Sequence, residues 1–260
     1  MRTTAIRPPR LVSRLADRFA GDTRVQVSPR KLAAIVRSAA PAHSPESLPR
    51  WVLIPAGLMP ILLIFSWAIA DVRQPADYNP IRDTISVAAG YGGTDRWIMT
   101  GALFVIGGCY LVTAAGFAAV GLPARIGLAV TGLAGIGIAA FPEPAHGATT
   151  PHAVFTALGA AALAVWPALV ARWQRPSFSI FGVRGSTAAT TFFLILLAWL
   201  TLETQHGALL GLAERLSSSI WVTWPFVVGF AAYHRTRVHA LIRADSLRAS
   251  LRQVTQLPEA

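Results

Sequence analysis

Charge is what this sequence has least of. Only 13% of its 260 residues are Asp, Glu, Lys or Arg, against roughly a quarter in an ordinary soluble domain. A deficit of that size excludes a surface that everywhere faces water. Lysine is nearly missing, since Lys31 is the one lysine among 23 basic residues. That bias toward arginine reads as the codon usage of a GC-rich bacterium. Cysteine occurs once, at Cys109, which excludes an intrachain disulfide and a thiolate metal cage. The chain also lacks H-E-x-x-H and G-x-S-x-G, so neither a zincin-type metal site nor a serine-hydrolase elbow is written in it.

What is present is hydrocarbon. Hydrophobic residues make up 53% of the chain, and they come in long blocks, as membrane spans do. Six blocks are long enough to cross about 30 Å of bilayer at 1.5 Å per helical residue. They lie near 51–70, 97–120, 124–141, 151–171, 186–202 and 216–233, and the one Asp, Glu, Lys or Arg within them is Arg125, at the edge of the third. Only helices can satisfy their own backbone there. The expected fold class is therefore all-α, a polytopic transmembrane bundle of six helices. Trp51, Trp97, Trp173 and Tyr233 stand at span ends as interfacial belts. Pro55, Pro60, Pro167 and Pro225 are expected to kink or loosen their helices. Gly127, Thr131, Gly135 and Ala139, each four apart, form a small-residue stripe suited to close packing inside the bundle rather than to a dimer. The apolar stretch 208–212 reads as a short interfacial helix.

Sidedness follows from arginine. Residues 1–50, the links near 121–125 and 172–185, and the C-terminal tail together hold nineteen basic residues, whereas the alternate side holds four: Arg73, Arg82, Arg96 and Arg215. That asymmetry predicts N- and C-termini in the cytoplasm, and it accounts for the net charge of +11 without a nucleic-acid partner. The expected organisation is a basic tail over 1–50, a transmembrane domain over 51–233 and a second basic tail over 234–260. Leu11, Leu15 and Phe19 share one helical face and Arg10, Arg14 and Arg18 another, and Lys31, Leu32, Ile35 and Val36 form a second amphipathic segment. Both suit docking on anionic lipids of the inner leaflet. Ala68-Ile69-Ala70, at the end of the first span, reads like a cleavage site, yet the span is expected to stay on the chain.

The opposite face is acidic, with Asp71, Asp77, Asp83, Asp95, Glu143, Glu203 and Glu214, and it carries His146, His152 and His206. Asn79-Pro80 reads as the start of a short helix that Gly90 ends, presenting Arg82, Asp83 and Ser86. Thr94 or Asp95 should cap the following span. The candidate outer-face site is Arg82, Asp83, Ser86, His152, Glu203, His206, Glu214 and Arg215. Glu143, His146, His152 and His206 are possible metal ligands, with Glu203 one helical turn from His206. A hydrolytic reading would pair Ser86 or a water with His152 and a carboxylate. A structural reading pairs Arg82, Arg96 and Arg215 with their chain neighbours Asp83, Asp95 and Glu214, closing the end of the bundle. No cofactor is expected.

Several of these residues also carry a likeness. Tyr78-Asn79-Pro80-Ile81-Arg82-Asp83-Thr84-Ile85-Ser86, followed by Thr94-Asp95-Arg96-Trp97-Ile98-Met99-Thr100, resembles bacterial membrane proteins grouped as domain of unknown function 998. Phe141-Pro142 with a following histidine, Trp166-Pro167 and Gly211-Leu212-Ala213-Glu214-Arg215 fit the same pattern. The resemblance covers about 51–233, leaves out the first fifty residues, and implies six spans but no activity. Taken together, the expected protein is a multi-pass protein of a bacterial plasma membrane, a non-catalytic bundle that binds a lipid or a protein partner. The alternatives are a metal- or His-dependent enzyme acting on lipid headgroups at the outer interface, and a transporter of an apolar molecule. The uncharged spans argue against proton or ion coupling.

Overall fold

The computed structural model describes residues 48–145, 149–173 and 182–255. Among them there are only helices and links. After a 3-10 turn at Arg50–Val52 come α1 (Leu53–Arg73), the short α2 (Ile85–Ala89), α3 (Trp97–Gly116), a second 3-10 turn at Ala118–Val120, α4 (Leu122–Ala140), α5 (Thr150–Trp173), α6 (Gly182–His206) and α7 (Leu210–Thr255). Six of these are long and apolar enough to cross a membrane: Arg50–Asp71, Trp97–Gly116, Leu122–Ala140, Thr150–Ala171, Val183–His206 and Leu210–Val238. The chain is thus an integral membrane protein, with six helical spans among the described residues.

The described residues as far as Thr236 form one compact unit. The spans pack in chain order, α1 on α3, α3 on α4, α4 on α5 and α5 on α6. The last span returns to the first: Gly57 lies against the Phe226 ring and Gly229 against Leu53. It also meets α6, where Phe193 stands edge-on to Trp224, ring centroids 5.6 Å apart. Met59, Met99, Phe117, Leu128, Trp166 and Phe193 fill the interior, all essentially sealed from solvent.

Local chemistry sets the ends. Gly121 takes φ 60°, a left-handed conformation, and Pro123 then sits in the first turn of α4, where a missing N–H costs nothing. Arg125 reaches back to the carbonyls of Ala114 and Ala115 at 2.7 and 3.0 Å, which are among those α3 leaves open at its C-terminus. Pro60, Pro167 and Pro225 lie inside continuous helices, the latter two fully buried. Pro55 falls in the first turn of α1.

The Trp166 indole donates to the Ala124 carbonyl at 2.8 Å in the buried seam between α4 and α5. Trp166→Phe removes that bond, a loss of about 0.5–1.5 kcal/mol, so the variant should melt measurably lower in detergent.

Three expectations are revised. The 79–90 helix starts at Ile85, not Pro80, because residues 79–83 form a turn closed by their own side chains. Asn79 Oδ1 accepts from Ile81 N at 2.9 Å, and Asp83 Oδ2 accepts from Asn79 N at 2.6 Å. Thr84 is the actual cap, accepting from Val87 N. The sixth span starts at Leu210 rather than 216 and absorbs most of the stretch read as an interfacial helix, which carries Glu214 and Arg215 into its second turn. Arg96, not Thr94 or Asp95, is the residue before α3. The amphipathic segments expected over 11–19 and 31–36 lie outside the described residues.

Candidate functional site

The polar side chains gather at one end of the bundle, where α1 ends and α7 begins. The organising group is Arg215. Its Nε and Nη2 reach both oxygens of Asp71, at 3.1 and 2.6 Å, and Nη2 also meets the Tyr78 hydroxyl at 2.5 Å. Nη1 faces three carbonyls, those of Asp83, Pro80 and Gly211, at 2.7, 2.8 and 3.1 Å. The guanidinium lies 5.8 Å from the Trp67 ring centroid. Both members of the Arg215–Asp71 pair are largely buried, with side chains 6% and 12% exposed. All five guanidinium N–H groups therefore have acceptors.

The same turn seats the helix above it. Gly211 N and Leu212 N, open donors at the start of α7, bond to the carbonyls of Arg82 and Ile81 at 3.2 and 3.0 Å. Burial pushes the Tyr78 phenol well above its ordinary range, with the Arg215 charge opposing and Asp71 reinforcing. Tyr78 thus stays a hydroxyl and passes the bond on to Asp71 at 3.0 Å.

Glu214, beside Arg215 in sequence, points elsewhere. Its Oε2 accepts from Ile85 N at 2.5 Å and its Oε1 from the Ser86 hydroxyl at 3.2 Å. Next to Ser86 lies the 141–145 link. A Cβ placed on Gly90 would meet Glu143 Cβ at 3.3 Å and the Ser86 carbonyl at 3.2 Å, so glycine permits this approach. Tyr91 N donates to the Glu143 carbonyl at 2.8 Å. The Glu143 carboxylate faces His152 Nε2 at 3.5 Å, with the imidazole 3% exposed, while His152 Nδ1 lies 2.9 Å from the Phe141 carbonyl. Burial raises the Glu143 carboxyl above its ordinary range, with the His152 charge acting the other way.

Of the residues singled out in sequence, the end therefore joins Asp83, Ser86, His152, Glu214 and Arg215. Asp83 takes part through its carbonyl and as a brace of the turn. The Arg82 side chain is exposed and only its carbonyl serves α7. Glu203 accepts from Leu209 N at 2.9 Å, bracing the α6–α7 turn, and His206 is exposed beside it. His146 lies outside the described residues. No three His, Cys, Asp or Glu side chains among the described residues are placed to hold a metal ion.

The pairing of chain neighbours is corrected: Arg215 binds Asp71 and Asp95 binds Arg73, the latter at 2.7 Å, while Arg96 lies over the Tyr91 ring. Adjacent helical residues point away from one another, so Glu214 and Arg215 serve different partners. Asp71 and Tyr78 were missed as site residues. Asp71 closes an apolar span, and an acid in that position was a readable sign of a buried partner.

Neither a curated protein nor a solved structure matches the chain. The family model described as "Protein of unknown function (DUF998)" matches residues 58–231, which include all of the polar end described above. The turn at 78–86, the Phe141-Pro142 link and the Gly211–Arg215 segment converge on this end, and the chain belongs to the DUF998 family.

Proposed function

We propose that this protein is a non-catalytic membrane bundle that binds lipid, with its polar end serving as a rigid plug. The observation that carries this reading is the use made of the polar residues. Arg215, Asp71, Tyr78 and Asp83 satisfy one another and the backbone of the 78–83 turn. What stays open nearby is apolar, a shallow groove of about 400 Å³ on α5 lined by Thr149, Thr150, Ala153, Val154 and Ala157. Threonines at its polar end and alanine and valine along its floor suit a glycerol ester above and an acyl chain below. The arginine asymmetry supports a plasma-membrane orientation with residues 1–50 and 234–260 in the cytoplasm and the polar end outside.

Mass spectrometry of lipids retained by protein extracted in native nanodiscs tests this. One lipid class should be enriched several-fold over the bulk membrane, and Ala153→Trp should erase the enrichment. A retained-lipid profile equal to bulk in both proteins removes the reading.

A second reading has one observation in its favour. His152 Nε2 is buried without a hydrogen-bond partner, as an acid–base group awaiting a substrate proton would be. Turnover of a lipid headgroup that vanishes in His152→Gln would establish it.

A further inference from the structure

The carbonyl of Phe141 can only accept, so the hydrogen of a neutral His152 ring sits on Nδ1, 2.9 Å away. Nε2 then presents a bare lone pair. That atom is buried and unpartnered, and what it faces at 3.5 Å is Glu143 Oε1. Were Glu143 ionised, two acceptors would confront each other with little water between them, and each would be left without a donor. A single proton turns that confrontation into a hydrogen bond.

Among the described residues no other cation pairs with Glu143. From α7 comes the Glu214 carboxylate, held by Ile85 N and by the Ser86 hydroxyl of α2. From the 90–93 link comes Tyr91, whose ring carries Arg96 at 4.7 Å. Arg215 is turned to Asp71. Among the described residues no arginine forms an ion pair with Glu143 or Glu214.

We propose that Glu143 and His152 form a proton-binding site, in which a protonated Glu143 donates to Nε2 of His152 and so latches the 141–145 link onto the first turn of α5. The latch extends further. Glu143 also holds the 90–93 link through Tyr91 N, and Gly90 rests on its Cβ. Loss of the proton sets carboxylate against lone pair and loosens both links at once.

Burial already raises the Glu143 carboxyl, so the folded chain keeps a proton that the unfolded chain has released. The stabilisation is complete below the ordinary glutamate value of about 4.3 and is lost as pH rises through the raised value. The latch is closed on the acid side.

Two measurements on the full chain in nanodiscs test this. An apolar carbodiimide, which adds to protonated carboxyls in apolar surroundings, should label Glu143 several-fold more than Glu203, and the label should fall as pH rises. Hydrogen exchange at the Tyr91 amide, corrected for the intrinsic rate, should lose protection over the same pH range. In Glu143→Gln, whose amide keeps a donor facing Nε2 but does not titrate, that protection should become independent of pH. Labelling of Glu143 no greater than that of Glu203 at every pH overturns the proposal, as does an unchanged exchange profile in Glu143→Gln. Should that variant fail to fold, the labelling of the unaltered protein decides alone.

Discussion

Arg215→Met should be the most damaging single change in this protein, lowering its unfolding midpoint far enough that little folded material survives extraction. The substitution preserves bulk but removes five donors from a closed site. Asp71 would lose its main counter-ion, Tyr78 would lose its donor, and the carbonyls of Pro80 and Asp83 would be stranded. Breaking a buried pair from one side costs about 3–5 kcal/mol, a large fraction of the 5–15 kcal/mol that holds an ordinary domain together. Arg215→Lys should recover little, because one ammonium cannot span two carboxylate oxygens, a phenol and three carbonyls. Asp71→Asn should be milder, since an amide oxygen still accepts and no bare charge is left behind. Melting curves followed by tryptophan fluorescence can read all three, with Trp67 beside the guanidinium as a local reporter. If Arg215→Met melts within a degree or two of the parent, the plug is not what holds α1 to α7.

The spans were legible because crossing a bilayer depends on the length and apolarity of one contiguous stretch, and each of the six displays both without reference to any other. The site was legible only by residue type. Glu214 and Arg215 were rightly chosen, but their partners lie far away along the chain, 144 residues in the case of Asp71 and 128 in the case of Ser86. Sequence proximity suggested Arg215 with Glu214 and Asp95 with Arg96; helical geometry turns the first two apart, and Asp95 pairs instead with Arg73. Glu203 and His206 were drawn in by their chemistry, yet they stand at the α6–α7 turn, where Glu203 braces the Leu209 N–H. The 79–83 turn failed for a different reason. Asn79-Pro80 does open a single turn, in which Arg82 N and Asp83 N reach the Asn79 carbonyl at 2.9 and 2.7 Å, but that turn is not continued and the helix begins only after Thr84.

Gly107→Leu should be the second severe change, and it tests whether the glycines of α3 and α4 pack within one bundle or between two. A Cβ on Gly107 would fall 2.7 Å from the Gly132 carbonyl and 3.0 Å from the Ile136 amide, and one on Gly132 would fall 2.7 Å from the Gly107 carbonyl. The backbones of α3 and α4 therefore touch, and neither atom in the way is a flexible side-chain end. Overpacking of a tight core commonly costs about 1–3 kcal/mol. Here the obstruction is main chain, so even Gly107→Ala should reach the upper part of that range, and leucine should part the helices. Gly101 and Gly108 are internal controls on the same helix, because a Cβ at either meets nothing within 4 Å. Alanine there should be neutral or stabilising by up to about 1 kcal/mol through helix propensity. Light scattering beside the melting curve separates the two readings. If the Gly107–Gly132 contact packs α3 against α4 within one chain, Gly107→Ala lowers the melting point and leaves the particle mass unchanged. If it joined two copies, the mass would halve while each chain kept its own stability, and the contact between Gly107 and Gly132 within one bundle would count for nothing.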